Sequence, residues 1–386
     1  MSLKSFDPDA FMAAWSDEKY SPLHTNKTLY QCLCESFGID PKDTYVYRAM
    51  AETTLLHMQR AIAAGGQNKM LDWYHDSEGE LLTPPHPTPS EITAYTNIFA
   101  PTASLPSSLR SYTHNAKPGT LRHLVGTHLL SHLHLPSSSP SSTTTTTTTT
   151  PPPALLPKAR PTRHHKNPYL SLWTYTCHAL QWCGPHLNTA KTRFSHHILP
   201  VFYHHFGCVV PSYAALHTLA KLSLPARPSK EAVRPILDIG SGNGYWSYML
   251  RTFDISGLTG GGSVSKNLDV RAVDSMASEY RVYWVSDTVV SDGVRYLKEN
   301  EGGKGCVLLL VYPQATTDFT GPVMRAFEGD TVVVAGTQCG NGFTGFTDVV
   351  VDAWVERHLP AFEMVLKMPL PSFAGKDDAL FVFQRK

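Results

Sequence analysis

Residues 236–246 read Ile-Leu-Asp-Ile-Gly-Ser-Gly-Asn-Gly-Tyr-Trp, and this stretch decides the fold. Pro235 precedes an apolar run that is typical of a buried strand, and residues Tyr245 to Leu250 continue as the first turns of a helix. The glycines between strand and helix allow the backbone to approach a ligand where any side chain would collide. The pattern predicts a ligand-binding turn at the edge of an α/β sheet.

The spacing of the glycines separates two classes of ligand. A dinucleotide-binding loop has the spacing G-x-G-x-x-G and holds a pyrophosphate at the helix N-terminus. Here Gly244 comes one residue early, and Asp238 stands two residues before Gly240. A carboxylate at that place repels a pyrophosphate, but it suits a cation such as the sulfonium and the amino group of S-adenosylmethionine.

With these residues the stretch resembles motif I of the class I S-adenosylmethionine-dependent methyltransferases. The resemblance covers about residues 206–386, or roughly half of the chain. It implies that S-adenosyl-L-methionine is the cofactor and that the loop contributes five contacts, from Asp238, Gly240, Ser241, Gly242 and Gly244.

Two more acids fit the same plan. The alternating run that opens at Asp269 stops at Asp274, where a Rossmann-type sheet needs a carboxylate to accept both ribose hydroxyls. In the methyltransferase plan an acid or amide after the third strand meets the adenine amino group. Asp292 is our candidate for that contact, with Asp287 as the alternative.

The remaining pattern predicts an α/β fold: a doubly wound seven-stranded sheet, mostly parallel with a C-terminal antiparallel strand pair, plus a helical N-terminal region. The further strands are expected at residues 281–290, 306–311, 331–335, 362–368 and 379–384, with helices at 277–285, 294–300 and 348–359. The helix at 277–285 overlaps the strand at 281–290, and their register stays open. A terminal antiparallel pair is also what class I methyltransferases add to the parallel sheet.

The methyl acceptor is expected beyond the fourth predicted strand, at the carboxyl edge of the sheet. Methyltransferases that act on base or glutamine amines often place Asn or Asp before Pro-Pro and an aromatic residue there. This chain has Val311-Tyr312-Pro313-Gln314 instead. The absence of Asn or Asp before the proline argues against base N-methylation. The candidates for the acceptor side are Tyr312, Gln338 and Phe373. The alternative for Tyr312 is a side chain that only packs in the protein.

The function that these residues predict is methyl transfer from S-adenosylmethionine to an unidentified acceptor by in-line displacement. The alternative is a catalytically inactive S-adenosylmethionine-binding module that acts as a partner subunit, because no catalytic acid, amide or base is recognisable. A nucleotide-dependent oxidoreductase is a third class, which the glycine spacing argues against.

Composition excludes several other classes. Lys plus Arg number 33 against 32 for Asp plus Glu, so the formal charge of +1 gives no strong nucleic-acid signal. Apolar runs are far shorter than a membrane span, and the start lacks a hydrophobic signal core, so we expect an intracellular protein, cytoplasmic or nuclear. The seven cysteines are expected to be reduced thiols, and the irregular spacing of the histidines predicts no metal site.

Three regions are expected along the chain. Residues 1–135 form a helical N-terminal region of unknown role, with helices at 27–37 and 45–64. Residues 136–165 are rich in Ser, Thr and Pro and predict a disordered linker. Residues 166–386 form the methyltransferase-like domain, with its core at 206–386 and a helix after Ser212 that floors the cofactor pocket.

Overall fold

The computed structural model describes residues 3, 6–49, 51–136, 154–192, 194–259, 262–315, 318–338 and 344–386 of the 386-residue chain. Residues 137–153 of the predicted linker and residues 339–343, which follow Gln338, lie outside the described residues. Among the described residues, no helix combines the length and the apolar character that a bilayer span requires.

A seven-stranded sheet forms the centre of the fold, in the strand order β3-β2-β1-β4-β5-β7-β6. Its strands are β1 (Ile236–Ile239), β2 (Val270–Asp274), β3 (Val289–Val290), β4 (Val307–Val311), β5 (Thr331–Thr337), β6 (Phe362–Pro369) and β7 (Asp378–Arg385). Strands β1 to β5 pair in parallel, while β7 pairs antiparallel with both β5 and β6. The predicted mostly parallel sheet with a terminal antiparallel pair is therefore confirmed.

Fifteen α-helices surround this sheet in the described residues. They are α1 (Pro8–Ala14), α2 (Asp17–Tyr20), α3 (Leu29–Phe37), α4 (Leu55–Ala64), α5 (Pro89–Thr96), α6 (Leu105–His114), α7 (Leu121–Ser131), α8 (Pro168–Ala179), α9 (Ile198–Phe206), α10 (Tyr213–Ser223), α11 (Tyr245–Arg251), α12 (Ser256–Thr259), α13 (Gly293–Glu299), α14 (Thr320–Ala326) and α15 (Val351–His358). Helix α13 begins and ends one residue before the predicted range, α15 lies inside its predicted range, and Ser212 caps α10 through its side chain, as expected.

Both faces of the sheet are covered by apolar side chains. On the central strand β4 the residues alternate between two clusters, because successive side chains of a strand point to opposite faces. Leu309 belongs to the cluster that also contains α8 to α11, and Leu308 belongs to the cluster that contains Trp354 of α15. The entirely apolar sequence of β4 follows from this burial on both sides.

The prediction for residues 277–290 was wrong in both of its forms. Only Val289–Val290 forms a strand, and no helix precedes it in this stretch. The backbone amides of Arg281 and Val282 donate to the carbonyl of His204 in α9, and the amide of Trp284 donates to the carbonyl of Asn243. Because these amides are bound to α9 and to the glycine loop, they are not available to a neighbouring strand.

The predicted helix at 45–64 was also too long. Residues Tyr47–Arg48 and Glu52–Thr53 form a two-stranded hairpin, and α4 begins only at Leu55. The side chain of Thr54 accepts a hydrogen bond of 3.2 Å from the amide of His57, so it supplies the helix start that the sequence analysis overlooked.

The N-terminal region shares one hydrophobic core with the sheet. The ring of Phe11 lies 5.3 Å from that of Trp284, and the ring of Phe37 lies 5.5 Å from that of Phe206. Leu155 lies within the predicted disordered linker, but it is buried and its carbonyl accepts a 2.9 Å hydrogen bond from His217 Nδ1, so this part of the linker prediction was wrong. The described residues of the three expected regions are thus joined through continuous apolar contact.

Candidate functional site

A cavity of about 520 Å³ lies at the carboxyl ends of β1, β2 and β4. Its walls come from the glycine loop, from the segment after β2, from α9 and from the N-terminal hairpin. They include Arg48, Ala49, Tyr203, His204, Phe206, Gly207, Cys208, Gly240, Ser241, Gly242, Asn243, Asp274, Tyr280, Tyr312, Pro313, Gln314 and Phe319. This is the sheet edge where open α/β folds bind their ligands.

The glycine loop takes the conformation that its sequence requires. Gly240, Gly242 and Gly244 have φ values of 78°, 58° and 80°, all in the left-handed region that favours glycine. Gly240, Ser241 and Gly242 line the cavity. Gly244 instead begins α11, where a Cβ would lie 2.4 Å from Val285 Cγ2, so its role is close packing.

Asp274 stands at the end of β2 and lines the cavity beside the glycine loop. Its Oδ2 accepts a 2.9 Å hydrogen bond from the amide of Gly242, and its Oδ1 accepts a 2.6 Å bond from the amide of Met276. Each carboxylate oxygen can accept more than one hydrogen bond, so both keep capacity for a ligand hydroxyl.

The structure places Asp238 away from the cavity. The side chain is fully buried on the α11 side of β1, where its Oδ2 accepts a 2.7 Å hydrogen bond from Ser247 Oγ. Burial raises the pKa of Asp238 to about 7, although the bond from Ser247 opposes the shift. Among the described residues its Oδ1 has no hydrogen-bond partner.

The two acids considered for the adenine contact also lie elsewhere. Asp292 is exposed and caps α13, with its Oδ1 accepting a 3.0 Å hydrogen bond from the amide of Arg295. Asp287 forms a 2.7 Å ion pair with Arg251. Neither side chain lines the cavity. The wall that follows β2 is formed instead by residues 275–280.

Tyr280 is the wall residue that the sequence analysis missed. A Cβ built on Gly242 would lie 2.9 Å from the Tyr280 hydroxyl, so this hydroxyl lies directly against the glycine loop. Burial raises the pKa of Tyr280 well above its usual value. Nothing in the local pattern of residues 275–283 marks Tyr280, because its position depends on the irregular path between β2 and β3.

Helix α9 supplies the opposite wall. His204 Nε2 donates to the carbonyl of Arg48 at 2.7 Å, and His204 Nδ1 therefore accepts from the Tyr45 hydroxyl at 3.0 Å. Burial lowers the pKa of His204, which keeps the ring neutral in this arrangement. His204 lines the cavity, whereas α10 supplies none of its lining residues, so the prediction that the helix after Ser212 floors the pocket was wrong.

Tyr312 lines the cavity at the end of β4, on the other side of the glycine loop from Asp274. Its φ of 51° is unusual for a bulky residue and marks a strained position. Lys376 Nζ donates to its hydroxyl at 3.2 Å, and the Tyr203 ring lies 6.0 Å from its ring. The β4 side of the cavity therefore carries a cluster of polar and aromatic groups.

A buried acid lies near the same lysine. Burial raises the pKa of Asp378 to about 7, while the charge of Lys376 opposes the shift. The Oδ1 of Asp378 has no hydrogen-bond partner in the described part of the chain. Burial also raises the pKa of the Cys208 thiol to about 12, so this cavity-lining cysteine is a thiol at neutral pH.

The other two acceptor-side candidates do not reach the cavity. Gln338 is buried, and its Nε2 donates to Asp377 Oδ1 at 2.9 Å. Asp377 also forms a 2.7 Å contact with His128 Nε2. Phe373 is 2% exposed and packs against Phe202, with 5.2 Å between the ring centroids. Both residues therefore stabilise the connection between β6 and β7.

No group of metal-ligating side chains is present among the described residues. The six described cysteines are unpaired, and five of them are buried. No protein-family model matches the sequence, and the chain has no significant match among curated proteins.

Proposed function

We propose that the chain is an S-adenosylmethionine-dependent methyltransferase that acts on an unidentified acceptor. One observation carries the proposal: the glycine loop after β1, Asp274 after β2 and Tyr312 after β4 all line one cavity. The strand order puts Asp274 and Tyr312 on opposite sides of the loop. This arrangement supports a cofactor half beside β2 and an acceptor half beside β4.

The residues of the cofactor half fit the proposed cofactor. The left-handed glycines leave the backbone of the loop uncovered by side chains, and Asp274 keeps acceptor capacity for two ribose hydroxyls. Ser241 Oγ is buried without a partner in the described part of the chain, although Ser241 lines the cavity. A buried hydroxyl without a hydrogen bond is costly, and a polar ligand group would satisfy it.

The resemblance assigns Asp238 to the cofactor, and the geometry suggests a different contribution. Asp238 and Ser247 join β1 to α11 immediately behind the loop, so they hold the loop rather than contact a ligand. The proposal retains Gly240, Ser241, Gly242 and Asp274 as the cofactor-binding set. It also includes a doubly wound arrangement of the helices and a helical N-terminal region that supplies one wall.

In-line methyl transfer requires the protein mainly to align the acceptor with the sulfonium and to exclude water. When bound, S-adenosylmethionine would supply a methyl group to whose carbon the acceptor lone pair bonds in line, while the C–S bonding pair stays on sulfur and S-adenosylhomocysteine leaves. Tyr312 and the Tyr203 ring hold the acceptor, and Lys376 fixes the Tyr312 hydroxyl by donating to it. The proton that the acceptor releases goes to water, since the buried carboxyl of Asp378 does not line the cavity.

A catalytically inactive binding module is the second candidate. The Tyr280 hydroxyl lies against Gly242 and fills part of the space over the loop, so in both candidates Tyr280 must move when the cofactor enters. In the alternative, the same cavity binds cofactor and transfers nothing.

Thermal shifts with S-adenosylhomocysteine and with NAD, measured side by side, test the proposal. Ligand at a hundredfold excess over its dissociation constant stabilises a protein by about 2.7 kcal/mol, which is readily detected. A shift with NAD alone would overturn the cofactor assignment.

Transfer of a labelled methyl group into small-molecule and protein extracts separates the two candidates. Tyr312→Phe is expected to lower transfer while leaving S-adenosylhomocysteine binding unchanged, because Tyr312 lies on the acceptor side. Binding without any transfer by the unmodified protein would favour the inactive module.

A further inference from the structure

A second cavity, of about 590 Å³, lies on another part of the molecule. It is formed by residues 157–165 on one side, by Tyr213 and His217 of α10 on another, and by residues 253–258 on the third. None of its lining residues lines the glycine-loop cavity. The two cavities are therefore separate sites.

The charge of this cavity is strongly one-sided. Lys158, Arg160 and Arg163 line it, together with His164, against the single carboxylate of Asp254. The chain as a whole has a formal charge of only +1, so this concentration of cations is local. Lys158 and Arg160 form no ion pair with any described residue. Two cations thus line the cavity without forming an ion pair with a described residue.

The cationic segment is held in place by its backbone. The amide of Arg160 donates to the carbonyl of Thr102 at 2.9 Å, and the amide of Arg163 donates to the carbonyl of Arg160 at 3.0 Å. The Arg163 guanidinium donates to the carbonyls of Lys158, at 2.8 Å, and of Pro101, and it lies 4.3 Å from the centre of the Tyr213 ring. The two unpaired cations therefore extend from a fixed backbone rather than from a free loop.

An unpartnered nitrogen in the wall is the second, independent observation. His165 Nε2 is buried and has no hydrogen-bond partner among the described residues, although His165 lines the cavity. Its ring packs between Tyr213 at 5.3 Å and Phe253 at 5.9 Å. Burial and the neighbouring charge of Arg163 lower the pKa of His165 to about 4, so the ring is neutral at pH 7. A neutral imidazole can donate one hydrogen bond to a ligand oxygen.

We propose that this cavity binds a polyphosphate group. Unpaired Lys and Arg side chains on a fixed backbone match the several charged oxygens of such a group, and charge-assisted hydrogen bonds are the stronger ones. The cavity volume is within the range of small-molecule sites and exceeds what one phosphate needs. The polyphosphate has two possible sources, free pyrophosphate and a nucleoside triphosphate.

Calorimetric titration with pyrophosphate and with ATP, at constant ionic strength, tests the proposal. The double variant Lys158→Ala/Arg160→Ala is expected to bind pyrophosphate at least tenfold more weakly, which corresponds to about 1.4 kcal/mol. The double variant Lys117→Ala/Lys298→Ala is the matched control, because it removes two exposed lysines that line neither cavity. It is expected to bind normally.

His165→Phe provides a second readout that keeps the ring packing and removes the nitrogen. We expect it to weaken pyrophosphate binding several-fold with an unchanged melting temperature. Equal affinities for pyrophosphate and ATP would assign the binding to the phosphates alone, and tighter binding of ATP would add a nucleoside contact. Absence of binding at millimolar concentration, or equal losses in the two double variants, would overturn the proposal.

Discussion

The amide of Gly242 donates a 2.9 Å hydrogen bond to Asp274 Oδ2, and this bond joins the glycine loop after β1 to the end of the neighbouring strand β2. The acid is therefore held beside the loop before any ligand is present. A carboxylate that is already oriented loses little conformational entropy when it accepts further hydrogen bonds.

The first prediction concerns this acid. Asp274→Ala should weaken S-adenosylmethionine binding by at least about tenfold, because hydrogen bonds to a charged group contribute about 1.5 to 3 kcal/mol each. Calorimetry measures the loss. Asp269→Ala is the matched control, since Asp269 is exposed at the start of the same strand and pairs with Arg271. Equal affinities for the two variants would remove Asp274 from the site.

The second prediction concerns the loop itself. Gly242→Val should abolish cofactor binding, because a side chain there must meet the Tyr280 hydroxyl and adopt a left-handed φ of 58°. The strain should lower the free energy of unfolding by about 1 to 3 kcal/mol and leave the protein folded. Gly262→Val is the control, because a Cβ on Gly262 meets nothing within 4 Å. Normal binding by folded Gly242→Val protein would contradict the assignment.

The third prediction concerns pH. Burial raises the folded-state pKa of Asp238 to about 7, above its unfolded value of about 3.9, so the folded state retains a proton that the unfolded state has released. The free energy of unfolding should therefore fall as pH rises from about 4 to about 7, by on the order of 1.4 kcal/mol per pH unit for one such group.

Chemical denaturation of Asp238→Asn across this pH range provides the check. The amide can still accept the bond from Ser247, and the variant should be less pH-dependent than the parent protein. Asp378, which has the same direction of shift, keeps its own contribution. Asp269→Asn, an exposed change of the same kind, should leave the pH dependence unaltered. An unchanged profile in Asp238→Asn would show that Asp238 is not the titrating group.

The fourth prediction concerns residues 154–165, the C-terminal part of the predicted linker. Leu155→Ala should lower the free energy of unfolding by about 2 to 5 kcal/mol, because Leu155 is only 8% exposed and packs in the main core. Leu187→Ala should have almost no effect, since Leu187 is 80% exposed. Urea denaturation of both variants measures the difference. A neutral Leu155→Ala would mean that residues 154–165 contribute nothing to the fold.

The sheet could be predicted from the sequence because its signals are local. Strand β1 is apolar apart from Asp238, strand β4 is an apolar run of five residues, and the glycine loop follows β1 directly. The position of Asp238 was also open to prediction, since side chains alternate along a strand and Asp238 shares its face with Ile236 beneath α11. Asp238 lies close to the glycines in sequence, but the alternation of side chains directs it away from the loop.

The walls of the cavity could not be predicted in this way. Tyr280 reaches the loop along an irregular path whose hydrogen bonds go to α9 and Asn243, and Arg48 reaches it from a hairpin almost two hundred residues earlier in the sequence. Such contacts depend on tertiary packing, which no local pattern records. The prediction for Tyr312 had a local signal, because this residue directly follows β4. No local pattern predicted its partner Lys376.

The hairpin that carries Arg48 and Ala49 has a practical consequence for producing the protein in pieces. Because these residues line the glycine-loop cavity, a fragment that begins at residue 166 loses part of its own binding wall. It also exposes the rings of Phe206 and Trp284 to water, since Phe37 and Phe11 cover them in the intact chain. Such a fragment is expected to aggregate, and expression boundaries for this protein belong before Phe6 rather than between the helices and the sheet.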